Sequence, residues 1–182
     1  VVYPGAGNIG GGGFMVARLA NGKSITLDYR EKASRNATRN MYLDSLGNAQ
    51  TSLSQFGHLS AGVPGTVAGL FAAHKYATLS FISLIQPAID LAEKGFVITE
   101  AEARSLNSNQ KEFLAYNTVI PVFVNAQKWK EGDTLVQTDL ANTLKRIGDF
   151  GQKGFYQGET ARLLVEEMKR GKGIIDFADL KN

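Results

Sequence analysis

Between Phe14 and Tyr29 the sequence reads FMVARLANGKSITLDY. Two runs of strand-type residues, 14–19 and 24–29, flank the dipeptide Asn21-Gly22. An Asn-Gly pair between such runs is typical of a tight hairpin turn in which both residues have positive φ. Because a lone two-stranded hairpin is marginally stable in water, it needs further strands or a helix packed on its face. The stretch therefore predicts a β-hairpin that belongs to a larger assembly.

From Pro64 onward the pattern is mainly helical. Apolar residues recur at helical spacing in four stretches, which are residues 67–74, 80–93, 140–147 and 161–168. Within the second stretch, Pro87 is predicted to begin a new helix or to kink the existing one. Thr99 and Glu102 have the spacing of a capping box, which heads a helix to about Tyr116.

Two further elements complete the predicted secondary structure. Asp176 has the position of an N-cap for a last helix. Residues 119–124 are compatible with a short strand that Pro121 would confine to a sheet edge. Strands followed by helices predict an α+β chain. We expect a single partial domain over 1–182, with a sheet-contributing segment, 1–62, and a mainly helical segment, 63–182.

The composition excludes several classes of protein. The 182 residues are 43% hydrophobic and 20% charged, and they include no cysteine. The absence of cysteine excludes a disulfide scaffold, a thiolate metal site and a cysteine nucleophile. The net charge of +3 is too small to favour a nucleic-acid partner. No apolar run approaches the roughly 20 residues of a membrane-spanning helix. His58 and His74 lack metal-ligand or triad spacing, so no metal is predicted.

A glycine-rich run precedes the hairpin. Residues 5–13 read GAGNIGGGG, and the first six match the GxGxxG fingerprint of dinucleotide-binding proteins. That fingerprint requires a helix to begin within it, because the pyrophosphate lies at the helix N-terminus. A β-type run follows instead, and each glycine would cost a helix about 1 kcal/mol. We therefore predict no dinucleotide cofactor. The glycines permit close backbone approach, either to a ligand or to another strand.

Arg30 follows the second predicted strand directly. A planar guanidinium suits bidentate recognition of a carboxylate. Beside Asp28 and Glu31, however, an arginine more often forms a solvated surface pair that contributes little. On these three residues alone, a surface pair is the favoured interpretation of Arg30. No residue pattern in the sequence makes the chain a self-sufficient catalyst.

Four blocks of sequence resemble the γ-glutamyltranspeptidases in order and spacing. They are residues 7–14 (GNIGGGGF), 27–33 (LDYREKA), 61–70 (AGVPGTVAGL) and 154–158 (GFYQG). The resemblance covers essentially the whole chain, which is identified as an interior fragment of the large subunit. It implies a four-layer αββα sandwich of the N-terminal-nucleophile hydrolase type. In that class the precursor cleaves itself into large and small subunits and exposes a nucleophilic threonine.

The resemblance also implies a reaction and a role for Arg30. Family members cleave the γ-glutamyl bond of glutathione and related compounds, and they transfer the group to water or to an amino-acid or peptide acceptor. The small subunit carries the threonine, so no catalytic residue, cofactor site or metal site is expected in this segment. Arg30 matches the arginine that pairs with the substrate α-carboxylate, which reverses the surface-pair interpretation. Ser34 stands where many members have proline, and it is expected to loosen the loop that holds Arg30.

One alternative function and several specificities stay open at this point. The alternative is a non-catalytic, stand-alone binding module derived from the same family. Bacterial family members imply a periplasmic or secreted protein. The resemblance does not choose between hydrolysis and transpeptidation, among acceptors, or among glutathione, cephalosporin-type and poly-γ-glutamate donors.

Overall fold

The computed structural model describes residues 1–4 and 9–181. The predicted hairpin is confirmed. Strand β1, Phe14–Arg18, pairs antiparallel with strand β2, Ser24–Asp28. Along β1 the side chains alternate between exposed and half-buried, and those of β2 do the same. One face of the hairpin therefore packs partly on the rest of the chain, while the other face is open.

The turn of the hairpin differs from the prediction. The Gly22 N–H donates to the Leu19 carbonyl at 2.9 Å, and the Leu19 N–H donates to the Lys23 carbonyl at 2.8 Å. Gly22 has φ of 84°, whereas Lys172 is the only non-glycine with positive φ among the described residues. The loop is therefore a type I turn closed by a left-handed glycine. This geometry spares Asn21 the cost of a left-handed backbone.

Most of the remaining regular secondary structure in the described chain is helical. In order, they are α1 Thr51–Gln55, a 3₁₀ turn at His58–Ser60, α2 Thr66–His74, α3 Phe81–Lys94, α4 Glu100–Ser108, α5 Gln110–Tyr116, α6 Thr138–Phe150, α7 Lys153–Tyr156, α8 Gly158–Arg170 and α9 Phe177–Lys181. Two short strands that the sequence did not predict, β3 Phe96–Val97 and β4 Thr134–Leu135, pair antiparallel. None of the helices in the described part of the chain is long and apolar enough to cross a bilayer.

The predicted helix caps are confirmed by hydrogen bonds. The Glu102 N–H donates to Thr99 Oγ1 at 3.3 Å, and the Thr99 N–H donates to Glu102 Oε2 at 2.7 Å, which completes the capping box of α4. Asp176 Oδ1 accepts the N–H groups of Ala178 and Asp179 at 2.8 and 3.1 Å. These contacts satisfy N–H groups that a helix cannot pair internally.

Helix α3 runs without interruption past Pro87, so no new helix begins there, because Ile89 and Ala92 are buried in its interface with α6 and this packing offsets the lost hydrogen bond. Two other details of the prediction were wrong. The helix predicted to reach Tyr116 is divided at Asn109, whose side-chain amide donates to the Ser105 carbonyl at 2.8 Å and so ends α4.

Residues 119–124 form a turn rather than a strand. The Val124 N–H donates to the Pro121 carbonyl at 2.9 Å. The Phe123 carbonyl accepts the side-chain N–H groups of Gln110 and Trp129, each at 2.8 Å. Side-chain donors therefore satisfy a backbone acceptor that a sheet would otherwise have paired.

The largest core cluster lies between α2, α3, α6 and α7. Its buried members are Val67, Ile89, Ala92, Ala141, Leu144, Ile147 and Phe155. A second cluster joins Val63 to helices α8 and α9. Val63 lies three residues before the first residue of α2, so the two clusters together fix the chain segment that lies beside Arg30.

Candidate functional site

Backbone pairing holds the Arg30 segment on both sides. Before it, the Tyr29 N–H donates to the Gly13 carbonyl at 2.9 Å. After it, the Lys32 and Val63 backbones exchange two hydrogen bonds of 3.1 and 2.7 Å. The main chain of Arg30 is therefore placed by contacts with two distant parts of the sequence.

Two glycines allow other backbone segments to reach the Arg30 segment. A Cβ atom on Gly12 would lie 2.7 Å from the Arg30 Cα and from the Glu31 N atom. A Cβ atom on Gly65 would overlap the Tyr29 carbonyl oxygen. The Gly65 N–H also donates to the Gly11 carbonyl at 2.9 Å. Close approach between backbones is thus one use of the glycine-rich run.

No helix begins in residues 9–13, which include the C-terminal end of the dinucleotide fingerprint. Residues 9–13 lead into β1 through a turn and irregular backbone. The prediction that no helix begins there is confirmed for these residues. The first four residues of the fingerprint, 5–8, lie outside the described residues.

The Arg30 side chain is exposed at the edge of two cavities. Its side-chain exposure is 64%, and its Nε atom lies 3.5 Å from Glu31 Oε2. The guanidinium carbon lies 5.8 Å from the centre of the Phe14 ring. Asp28 Oδ1 accepts the Arg30 backbone N–H at 3.0 Å rather than pairing with the guanidinium. An exposed pair with one neighbouring glutamate contributes little, so an incoming carboxylate can compete for Arg30.

The larger cavity beside Arg30 has a volume of about 570 Å³. That volume is within the usual range for small-molecule sites. Polar side chains on its wall include Glu31, Ser34, Tyr42 and Ser60. A second cavity of about 390 Å³ adjoins Arg30 and is lined by Lys32, Arg35, Asp179 and Lys181 among others. Arg30 lines both cavities and can present its guanidinium at their common edge.

Ser34 anchors the loop after Arg30, and the expectation that it loosens this loop was wrong. Its exposure is 5%, whereas the flanking positions 31–33 and 35–40 are exposed. The Ser34 hydroxyl donates to Asp179 Oδ2 at 2.7 Å, with the Ile174 carbonyl 3.0 Å away. A buried hydroxyl with a carboxylate acceptor makes a short, charge-assisted hydrogen bond.

A second polar cluster forms around His58, which directly precedes the cavity-lining residues Leu59 and Ser60. His58 Nε2 lies 2.7 Å from Glu167 Oε1, and the His58 side chain is only 11% exposed. Thr118 Oγ1 lies 2.7 Å from both oxygens of Glu167, and Arg170 Nη2 donates to Oε2 at 2.6 Å. Burial raises the pKa of Glu167, but the hydrogen bonds from Thr118, His58 and Arg170 outweigh it and lower the pKa to about 2.

This cluster predicts a stability change at acid pH. A folded-state pKa below the ordinary value of 4.5 means that the ionised carboxylate stabilises the fold above about pH 4.5. That contribution is lost as the pH falls toward about 2. We expect the Tm difference between the complete wild-type protein and Glu167→Gln to be largest near neutral pH and to shrink over this interval. An exposed control, Glu112→Gln, should show no such convergence. Parallel curves for wild type and Glu167→Gln would contradict the assignment.

Two further ring side chains have packing roles. The ring of His74 meets Phe81 edge-on with the ring centres 5.4 Å apart, and its Nε2 lies 2.9 Å from the Leu79 carbonyl. Trp129 packs against the core cluster of α4 and β4. Across residues 1–4 and 9–181 there is no group of three or more His, Asp or Glu side chains that could hold a metal ion.

The partners of Ser34 and His58 were not predicted from the sequence. Ser34 and Asp179 are 145 positions apart, and His58 and Glu167 are 109 positions apart. No local pattern connects residues at such separations. The glycine spacing in the block 61–70 was a signal only for a different contact, the one between the start of α2 and the Arg30 segment.

Comparison with known proteins places this chain in a class. The sequence profile described as Gamma-glutamyltranspeptidase matches residues 1–182. The γ-glutamyltranspeptidase structure from Helicobacter pylori superposes with a TM-score of 0.92 at 48% identity, covering 100% of this chain and 53% of that one. The structure from Pseudomonas nitroreducens, in complex with L-DON, gives 0.85 at 39% identity, with the same coverages of 100% and 53%. The fold is therefore part of an N-terminal-nucleophile hydrolase.

The chain belongs to the γ-glutamyltranspeptidase family. It is 50% identical to a glutathione hydrolase proenzyme of Pseudomonas sp. (strain A14) and 41% identical to that of Escherichia coli (strain K12). Each alignment covers 99% of this chain and 32% of the relative. The chain thus spans about a third of the length of the curated relatives it matches. A cephalosporin acylase from Bacillus halodurans, at 20% identity and a TM-score of 0.81, shares the fold.

Proposed function

We propose that the complete protein cleaves the γ-glutamyl bond of glutathione and related compounds and transfers the group to water or to an amino-acid or peptide acceptor. The observation that carries this proposal is the exposed Arg30 guanidinium, on a segment whose backbone is hydrogen-bonded on both sides, at the edge of a cavity of about 570 Å³. The family membership of the chain and the name of its relatives, glutathione hydrolase, support the same reaction.

Arg30 has the chemistry of a substrate clamp. A guanidinium binds a carboxylate through two parallel N–H···O bonds, which fixes both the position and the direction of the bound group. Holding the α-carboxylate of a γ-glutamyl donor at Arg30 would orient the distant γ-carbonyl toward the nucleophile. Such orientation lowers the barrier because the entropy of alignment is lost before the reaction step.

The nucleophile is proposed to lie in the partner small subunit of the same precursor. Its threonine hydroxyl attacks the γ-carbonyl while the threonine amine accepts the proton, and the leaving amine takes a proton as the bond breaks. Water or an acceptor amine then attacks the acyl-enzyme and releases the threonine. In this scheme residues 1–182 supply the carboxylate clamp and no catalytic group.

The partial-domain assignment belongs to the same proposal. Residues 1–62 contribute to a sheet and residues 63–182 form its mainly helical neighbour within the large subunit. The open face of the hairpin supports an assembly of this kind, since Phe14 and Val16 are 64% and 80% exposed on it. Further parts of the enzyme would cover these side chains. We propose a periplasmic or secreted location on the basis of family resemblance.

The test uses the protein expressed from its complete coding sequence. Denaturing mass spectrometry with N-terminal sequencing should show two chains, the smaller beginning with threonine. The same preparation should release the amine from a γ-glutamyl anilide, whereas the isolated 182-residue chain should not. A single uncleaved chain without activity would overturn the proposal and favour the non-catalytic binding module.

A further inference from the structure

We propose that Ser34 and Asp179 are positioning residues for Arg30, and this inference rests on the proposed function of Arg30 as a carboxylate clamp. The loop that follows Arg30 is largely open to solvent. Residues 31–33 are exposed, and Ser34 is the first buried residue after Arg30. The loop that follows Arg30 therefore depends on a few specific anchors rather than on extensive packing.

The Asp179 carboxylate provides one of these anchors. Its Oδ2 atom accepts the Ser34 hydroxyl at 2.7 Å, and its Oδ1 atom accepts the Arg35 backbone N–H at 2.9 Å. The Ser34 hydroxyl oxygen also accepts the Asn36 N–H at 3.1 Å. A single carboxylate thus binds two consecutive residues of the loop, four and five positions after Arg30.

Helix α9 holds that carboxylate in place. Asp179 Oδ2 accepts the Asp176 N–H at 3.1 Å, while Asp176 Oδ1 accepts the Asp179 N–H at 3.1 Å. Arg35 Nη2 in turn donates to Asp176 Oδ2 at 2.8 Å. Leu180, on the same helix, is buried against the cluster that contains Val63. The anchor is therefore tied to the hydrophobic core, so it can resist movement of the loop.

The charges around the second cavity add a reason for this arrangement. Arg30, Lys32, Arg35 and Lys181 line it together with Asp179. Hydrogen bonds from Ser34, Arg35 and Asp176 occupy the oxygens of Asp179. An Asp179 engaged in this way competes less for Arg30, which leaves the guanidinium available to a substrate carboxylate.

The experiment compares two donors in the complete enzyme. One is a γ-glutamyl anilide with a free α-carboxylate, and the other is the same compound with an α-carboxamide. The ratio of their kcat/KM values measures recognition of the carboxylate. Ser34→Ala and Asp179→Asn should lower this ratio by about 3- to 10-fold, mainly through a higher KM for the carboxylate donor. The kcat/KM of the carboxamide donor should be nearly unchanged, which a general loss of structure would not produce.

Controls separate this inference from the proposed function. Ser54→Ala removes an exposed hydroxyl from α1 and should leave the ratio unchanged. In an Arg30→Ala background, Ser34→Ala should have no further effect on the ratio. If the ratio of kcat/KM values equals that of wild type in Ser34→Ala but falls in Arg30→Ala, the positioning role is overturned and the clamp is kept. If the ratio is unchanged in Arg30→Ala, both are overturned. If Asp179→Asn does not fold, Ser34→Ala, which removes one oxygen atom, decides the question.

Discussion

Replacing Arg30 by alanine in the complete enzyme is expected to lower kcat/KM for a γ-glutamyl donor by about two to three orders of magnitude. The loss follows from the removal of a bidentate, charge-assisted contact, since each factor of ten corresponds to about 1.4 kcal/mol. Because the side chain is exposed and its pair with Glu31 is 3.5 Å long, the fold should lose little. Steady-state kinetics and a thermal melt of the same preparation check both statements.

A matched arginine serves as the control for Arg30. Arg104 is 67% exposed and pairs with Glu100 on helix α4, so Arg104→Ala removes the same kind of side chain from a distant surface. We expect Arg104→Ala to have wild-type kcat/KM. Arg30→Lys should fall between wild type and Arg30→Ala, because an ammonium keeps the charge but not the planar pair of donors. Unchanged kcat/KM in Arg30→Ala would remove the clamp from the mechanism.

Gly65→Ala is expected to destabilise the complete protein by about 3 kcal/mol or more and to abolish activity with it. The added Cβ atom would overlap the Tyr29 carbonyl oxygen and lie 2.8 Å from the Arg30 carbonyl oxygen. Both neighbours are backbone atoms, so relief requires the Arg30 segment to move away from the start of α2. Denaturant unfolding measures the stability change, and the γ-glutamyl anilide assay measures the activity.

The control for Gly65 is the same substitution where space is open. Gly47 has φ of 83°, and no heavy atom lies within 4 Å of the position that an added methyl group would take. Gly47→Ala should therefore cost only about 1 kcal/mol, which is the cost of a left-handed alanine. Equal unfolding free energies for the two variants would contradict the steric explanation for Gly65.

Local signals account for the elements that were predicted correctly. The reversal of the hairpin between Leu19 and Lys23, the capping box at Thr99 and the cap at Asp176 each depend on residues within four positions of one another. Two of the differences from the prediction arose where a partner outside the local stretch of sequence intervened. Packing between α3 and α6 carried a helix past Pro87, and side-chain donors from Gln110 and Trp129 occupied the Phe123 carbonyl.

The sequence by itself determined the family, the α+β order of elements and the identity of Arg30 as the candidate clamp. Only the tertiary structure decided how Arg30 is held. Gly12 and Gly65 approach its backbone from two segments, and Asp179 reaches Ser34 from 145 positions away. Such contacts have no periodic signature, because each depends on where the chain returns after whole helices have packed. For that reason Ser34, a site of expected looseness in the sequence, is an anchor in the folded chain.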